Sequence, residues 1–164
     1  MNEGQVLTIE RAFDIDALSS FMCGIREIDQ LIHKKEGGLL SFITEVPCEF
    51  YIVKNGDYPI ALFVLSTRTV TILNERYNSL EIDFIAVRED WQRKGIGTII
   101  INLAENNACE AEFPFLTTAA FFNKRYDASG FYEKCGFIRN GEKSGNTIPM
   151  YKYLKPLPSS TEDV

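Results

Sequence analysis

The chain has 164 residues, 45% of them apolar, which is enough for one well-buried core and too few for two. Its formal net charge of -6 excludes the surface-wide basic footprint of a protein that coats nucleic acid, although a local basic patch stays open. Cys23, Cys48, Cys109 and Cys135 match the spacing of neither a zinc knuckle nor a redox pair, and the single His33 completes no ligand set, so no metal is expected.

In chain order, residues 5–13 alternate Val6, Thr8 and Glu10 with Leu7, Ile9 and Arg11, as a first strand does, and Asp14 or Asp16 can cap the next element. Residues 1–13 carry neither a basic n-region nor an apolar core of signal-peptide length, and no apolar run reaches the roughly 18 residues of a membrane span. A cytoplasmic protein without a membrane partner is therefore expected. A short helix over 16–23 would close at Gly24. A second, over 25–36, is predicted by Ile25, Ile28, Leu31 and Ile32 at helical spacing, with Gly37 and Gly38 ending it. The strongest hairpin signal is Asn55-Gly56-Asp57 between the runs 48–53 and 59–67. Residues 69–73 can extend that hairpin, and 74–79 read as a polar loop.

The stretch 80–102 is the most informative. Glu81, Ile82, Asp83, Phe84, Ile85, Ala86 and Val87 read as a strand with one polar face, followed by a turn and by Gln92, Arg93, Lys94, Gly95, Ile96, Gly97 and Thr98. An apolar helix over about 97–108 comes next. Strand, glycine loop and helix start leave backbone N–H groups free at a helix N-terminus, where glycines let an anionic ligand approach the main chain.

Beyond it, the middle of 113–122 reads as a strand buried on both faces, 123–127 as a turn, and 129–134 as a brief helix capped by Asp127 or Ser129 and stopped by Gly136. Residues 137–139 and 147–154 form a last antiparallel pair. Residues 1–155 are expected to make one domain and 156–164 a disordered tail. The order of elements predicts an α/β protein with a mixed central sheet flanked by helices.

Gln92, Gly95 and Gly97 resemble the acyl-CoA-binding motif of the GNAT (GCN5-related N-acetyltransferase) family: Gln or Arg, two residues, Gly, one residue, Gly or Ala. Ile85, Ala86 and Val87 resemble the end of the strand before it, and the element order resembles the family's over nearly the whole chain. The resemblance implies that acetyl-CoA is the acyl donor, with Ile85 and Val87 holding the pantetheine arm by main-chain hydrogen bonds. The loop 92–98 would take the pyrophosphate, aided by Arg93 and Lys94. It also implies that Asn123 contacts the CoA arm, although an inserted turn places it nine residues before Tyr132, about two more than is common in the family.

Residues 130–137, GFYEKCGF, resemble the second family motif, in which the tyrosine at the Tyr132 position protonates the departing CoA thiolate. A thiol leaves best when its sulfur is protonated as the tetrahedral intermediate collapses, and a phenol can supply that proton. Cys135 beside it reads as a packed thiol rather than an acyl carrier. The amine must first lose a proton. Glu81 and Asp83, two apart on one face of a strand, offer carboxylates for that task, with Asp83, Glu81 or a water as the base.

The expected function is N-acetylation of a small-molecule or protein amine by direct attack on the thioester. A second reading comes from Phe21, Met22, Cys23, Gly24, Ile28 and Asp29, which resemble the opening of a family subset that includes toxins acetylating aminoacyl-tRNA. The acidic balance speaks against a tRNA partner, whose binding rests on phosphate neutralisation. A CoA-binding module without turnover is the third reading, and a homodimer is left open.

Overall fold

The computed structural model describes residues 6–13, 16, 18, 20–34, 38–122, 124 and 127–154. Asn123, the cap Asp14, the helix-ending Gly37 and the tail 156–164 lie outside the described residues. Along the chain run β1 (Leu7–Ala12), α1 (Arg26–His33), α2 (Leu39–Glu45), β2 (Glu49–Asn55), β3 (Tyr58–Ile72) and β4 (Glu75–Val87). A 3₁₀ turn (Glu89–Trp91) leads to α3 (Ile96–Glu110), β5 (Phe115–Phe121), α4 (Ser129–Lys134), β6 (Ile138–Arg139) and β7 (Thr147–Tyr153). The seven strands form one mixed sheet in the order β1-β2-β3-β4-β5-β7-β6, the architecture expected from the sequence.

By internal contacts the chain divides into two compact units, Met1–Ser66 with Phe84–Ile99, and Thr67–Asp83 with Ile100–Val164. In the first unit β1, β2 and the start of β3 form an antiparallel meander, and Asn55 faces Tyr58 across the predicted Gly56-Asp57 turn. Its core gathers Leu18, Phe21, Cys23, Ile28, Ile32, Leu39, Ile52, Leu62, Val64 and Ala86. Ile28 and Ile32, one turn apart on α1, are both buried, each such side chain contributing about 1.5–3 kcal/mol over an exposed position.

In the second unit β4 and β5 run parallel, Ser79 facing Phe115 and Glu81 facing Thr117, while β5–β7 and β6–β7 are antiparallel. A parallel neighbour requires a crossover, and α3 supplies it between β4 and β5. Tyr77, Tyr151 and Tyr153 pack edge-on against Phe115, with centroids 4.8, 5.7 and 5.7 Å away.

Three local expectations change. Residues 74–79 are not a polar loop: β4 already begins at Glu75, and the hairpin turns tightly at Leu73 and Asn74, whose φ angles are 50° and 68°. These are the left-handed values a two-residue hairpin turn requires, and no glycine advertises them. Helix α2 is absent from the sequence-based expectation, because two turns or fewer of mixed aliphatic and β-branched residues give little periodicity. Phe21, Met22 and Cys23 are not helical, so the first short helix does not reach Gly24.

Candidate active site

In the first unit the end of β4 and the glycine loop form one hydrogen-bonded corner. The Arg88 N–H donates to the Ile60 carbonyl at 2.8 Å and the Glu89 N–H to the Cys23 carbonyl at 2.7 Å. The Gln92 side-chain amide returns to the Val87 carbonyl at 3.2 Å, closing the loop on the strand it left. Arg93 at φ 61° and Gly95 at φ 83° turn the chain sharply into α3. At the helix start the Ile99 N–H donates to the Gly95 carbonyl at 3.1 Å. Helical geometry therefore leaves the amides of Ile96, Gly97 and Thr98 without an acceptor inside the helix. Gln92, Arg93, Lys94, Gly95 and Thr98 are exposed, Ile85, Val87 and Gly97 are half-buried, and Ile96 is buried. The Lys94 ammonium sits over the Trp91 ring at 5.0 Å, which holds a positive charge beside the loop.

The segment around Cys23 and Gly24 is tied to this corner. Buried Asp29 accepts the Cys23 N–H at 2.7 Å and the Gly24 N–H at 3.1 Å, His33 Nε2 bonds the Phe21 carbonyl at 2.8 Å, and Arg88 Nη1 donates to the Met22 carbonyl at 3.2 Å. The Phe, Cys-Gly and Asp pattern of residues 21–29 thus has a structural cause: a carboxylate near the start of α1 caps an incoming loop that lies against the start of the glycine corner. His33 anchors the same loop. Burial pushes the Cys23 thiol up to about 12, so it packs and does not react.

In the second unit Glu81 and Asp83 project from one face of β4 and share one cation. Arg68 on β3 places Nε 3.3 Å from Glu81 Oε2 and Nη2 3.0 Å from Asp83 Oδ1. Thr117 on β5 donates to Glu81 Oε1 at 3.3 Å, and its hydroxyl is 2.9 Å from that of Ser79, both buried. Glu81's side chain is 19% exposed and Asp83's 5%. Asp83 Oδ2 is buried with no hydrogen-bond partner among the described residues. Burial, more than the adjacent Asp83, lifts the Glu81 carboxyl to about 7 against the pull of Arg68. That value suits an acid–base group working at neutral pH. Arg68, Thr117 and Ser79 escape a reading of the sequence. Arg68 is visible there as a lone charge among threonines after an apolar run, but nothing local joins it to carboxylates across a hairpin.

Tyr132 lies on α4, buried, with its ring 5.2 Å from Phe131 and 5.3 Å from Phe137. The helix start is held by Asp127 Oδ1, which accepts both the N–H and the hydroxyl of Ser129 at 2.9 and 2.6 Å. At its end the Phe137 N–H donates to the Tyr132 carbonyl and the Gly136 N–H to the Glu133 carbonyl, both at 3.0 Å, with Gly136 at φ 93°. These paired bonds, with the Tyr132–Phe137 ring contact, form a Schellman cap. The FYEKCGF motif is therefore a helix terminator that fixes the tyrosine ring as well as a source of a phenol. Lys152 clamps the cap, donating to the Cys135 carbonyl at 2.8 Å and pairing with Glu105 on α3. Burial raises the Cys135 thiol, more than Lys152 lowers it, which agrees with a packed role.

Among the described residues no group of His, Cys, Asp and Glu could hold a metal ion, and no helix is long and apolar enough to cross a membrane.

Comparison with known proteins agrees with this layout. A family model described as the acetyltransferase (GNAT) family matches residues 17–137. A stretch of 63 residues, 38% of the chain, is 36% identical to the tRNA(Met) cytidine acetyltransferase TmcA of Haemophilus influenzae, and it spans only 9% of that protein's length. Solved structures share the fold, two of the AtaT toxin among them. One is a Tyr-to-Phe mutant of the AtaT toxin bound to the C-terminus of the antitoxin AtaR and acetyl-CoA, with TM-score 0.65, 18% identity, and 90% of this chain and 92% of that one covered. The other is AtaT complexed with acetyl-methionyl-tRNAfMet, with TM-score 0.64, 19% identity, and 88% and 94% covered.

Proposed function

This chain belongs to the acetyltransferase (GNAT) family, and on that premise we propose that it carries an acetyl group from acetyl-CoA to a primary amine by direct attack on the thioester. The observation that carries the proposal is Glu81: a carboxylate lifted to about 7 inside a hydrogen-bonded cluster is matched to removing a proton from an amine near neutral pH. In the proposed reaction the acceptor ammonium gives a proton to Glu81, and the nitrogen lone pair attacks the thioester carbonyl carbon. As the C–N bond forms and the C–S bond breaks, Tyr132 protonates the leaving thiolate, and the second proton, shed by the now cationic nitrogen, restores the phenol.

On this proposal the amides of Ile96, Gly97 and Thr98 take the CoA pyrophosphate with help from Arg93 and Lys94, and Ile85 and Val87 hold the pantetheine arm through their main chain. Gly97→Val puts a branched side chain at that approach and is expected to weaken CoA binding at least tenfold while the fold is kept. Calorimetry showing wild-type affinity for CoA would remove the loop from the donor site.

A second acceptor, the α-amine of an aminoacyl-tRNA, is favoured by two observations, the AtaT fold relative complexed with acetyl-methionyl-tRNAfMet and the toxin-like pattern at residues 21–29. The net charge of -6 weighs the other way. Free-thiol release from acetyl-CoA, followed over a panel of polyamines, amino-group metabolites, lysine peptides and charged tRNA, decides between them. Acceptor-dependent release is the expected result. Acetylation of charged tRNA with no turnover of any small amine would transfer the assignment to tRNA, and tight acetyl-CoA binding without release on any acceptor would leave a binding module.

A further inference from the structure

The cluster around Glu81 holds two carboxylates and one guanidinium, so with both acids ionised it carries one uncompensated negative charge in a half-buried setting. Asp83 is the more buried of the two acids, and only Oδ1 is engaged by Arg68; Oδ2 is buried without a partner among the described residues. An ionised carboxylate oxygen is an acceptor only, so the partner it lacks is a donor. One source is the neighbouring acid on the same strand face, because a protonated carboxyl gains an O–H, and Glu81 and Asp83 are close enough to share a hydrogen bond.

We infer that Asp83 and Arg68 are positioning residues for the base: when Glu81 takes the proton of the acceptor amine, its new O–H is held by Asp83 Oδ2 while Arg68 bridges the two carboxyls. The pair then carries one proton between them, as like charges forced together do. The proton balance is complete. An N–H bond of the ammonium breaks, an O–H bond forms on Glu81 with its donor hydrogen bond to Asp83, and the proton leaves to solvent after the acetylated product departs. The groups facing Glu81 are Arg68 from β3, Asp83 from β4 and the Thr117 hydroxyl from β5, with the Tyr151 phenol next in the same row, opposite Thr117 on β7. Burial, the Asp83 charge and the hydrogen bond that a protonated Glu81 makes with Asp83 all raise Glu81, whereas Arg68 and Thr117 lower it.

This rests on the reading of Glu81 as base, and the test separates the two. Carbon-13 labelled glutamate reports the Glu81 carboxyl in the protein without substrates, and the acid limb of kcat/KM reports it in turnover. Asp83→Asn is expected to move the carboxyl midpoint down by about one to two pH units, since it removes the like charge and offers an amide N–H to the ionised form. Arg68→Gln is expected to move it up by a similar amount, and Arg68→Lys, which keeps the cation, to stay between wild type and Arg68→Gln. If Arg68→Gln does not fold by circular dichroism, Asp83→Asn and Arg68→Lys decide alone. Opposed shifts in the carboxyl signal establish the pair even if kcat/KM fails to follow, in which case the base assignment falls instead. An unmoved midpoint in Asp83→Asn, or shifts of one sign in every variant, would overturn the inference.

Discussion

Glu81→Gln is expected to lower kcat/KM by about 10² to 10⁴, the usual loss when a positioned general base is removed. At about 1.36 kcal/mol per decade this raises the barrier by roughly 3 to 5 kcal/mol. The size is set by the pKa. A base near 7 is largely ionised at pH 7.5 and still strong enough to draw a proton from an ammonium, whereas a carboxylate at its ordinary value near 4.5 is a much weaker acceptor. The sign of the pH dependence is set as well. As the proposed base Glu81 would work unprotonated, so the wild-type rate is expected to climb as pH rises through about 7, and the variant to lose that limb. The amide nearly matches the carboxyl in shape and can donate to Asp83, so the melting temperature and CoA affinity should hold. A kcat/KM within about threefold of wild type, with the acid limb intact, would remove Glu81 from the reaction.

Tyr132→Phe is expected to keep the fold and CoA binding and to lower the chemical step by about 10² or a little more, toward the lower end of the usual 10² to 10⁴ for a general acid. A thiol of pKa about 8.5 is already a fair leaving group, so protonation saves less than it would for an alkoxide. The fold should tolerate the change because Tyr132 supplies α4 with its ring, packed on Phe131 and Phe137, and with its carbonyl, which accepts the Phe137 N–H. Phenylalanine retains both. Single-turnover kinetics isolates the chemical step, and an unchanged single-turnover rate would return Tyr132 to the role of a cap residue.

The two substitutions differ in how much of their rationale is local. FYEKCGF carries its own explanation: Gly136, free to take positive φ just past the last turn and followed at once by Phe137, forms the same cap wherever such a helix ends, so motif and geometry agree. Glu81 does not. In the sequence it is one of two acids on a strand face, and nothing in residues 80–87 ranks it above Asp83.

Local chemistry determined the alternation of β4, the Gly56 turn, the glycine entry to α3 and the α4 cap, because periodicity, positive φ and capping each act over a short run of residues. The tertiary structure alone decided how those elements work together. Arg68 reaches the carboxylates across a hairpin whose turn carries Leu73 where a glycine would be expected, and Thr117 reaches Glu81 through a parallel pairing that needs the whole of α3 as a crossover. The lift of Glu81 to about 7 arises chiefly from burial, which depends on everything packed around a residue and on nothing in its immediate sequence.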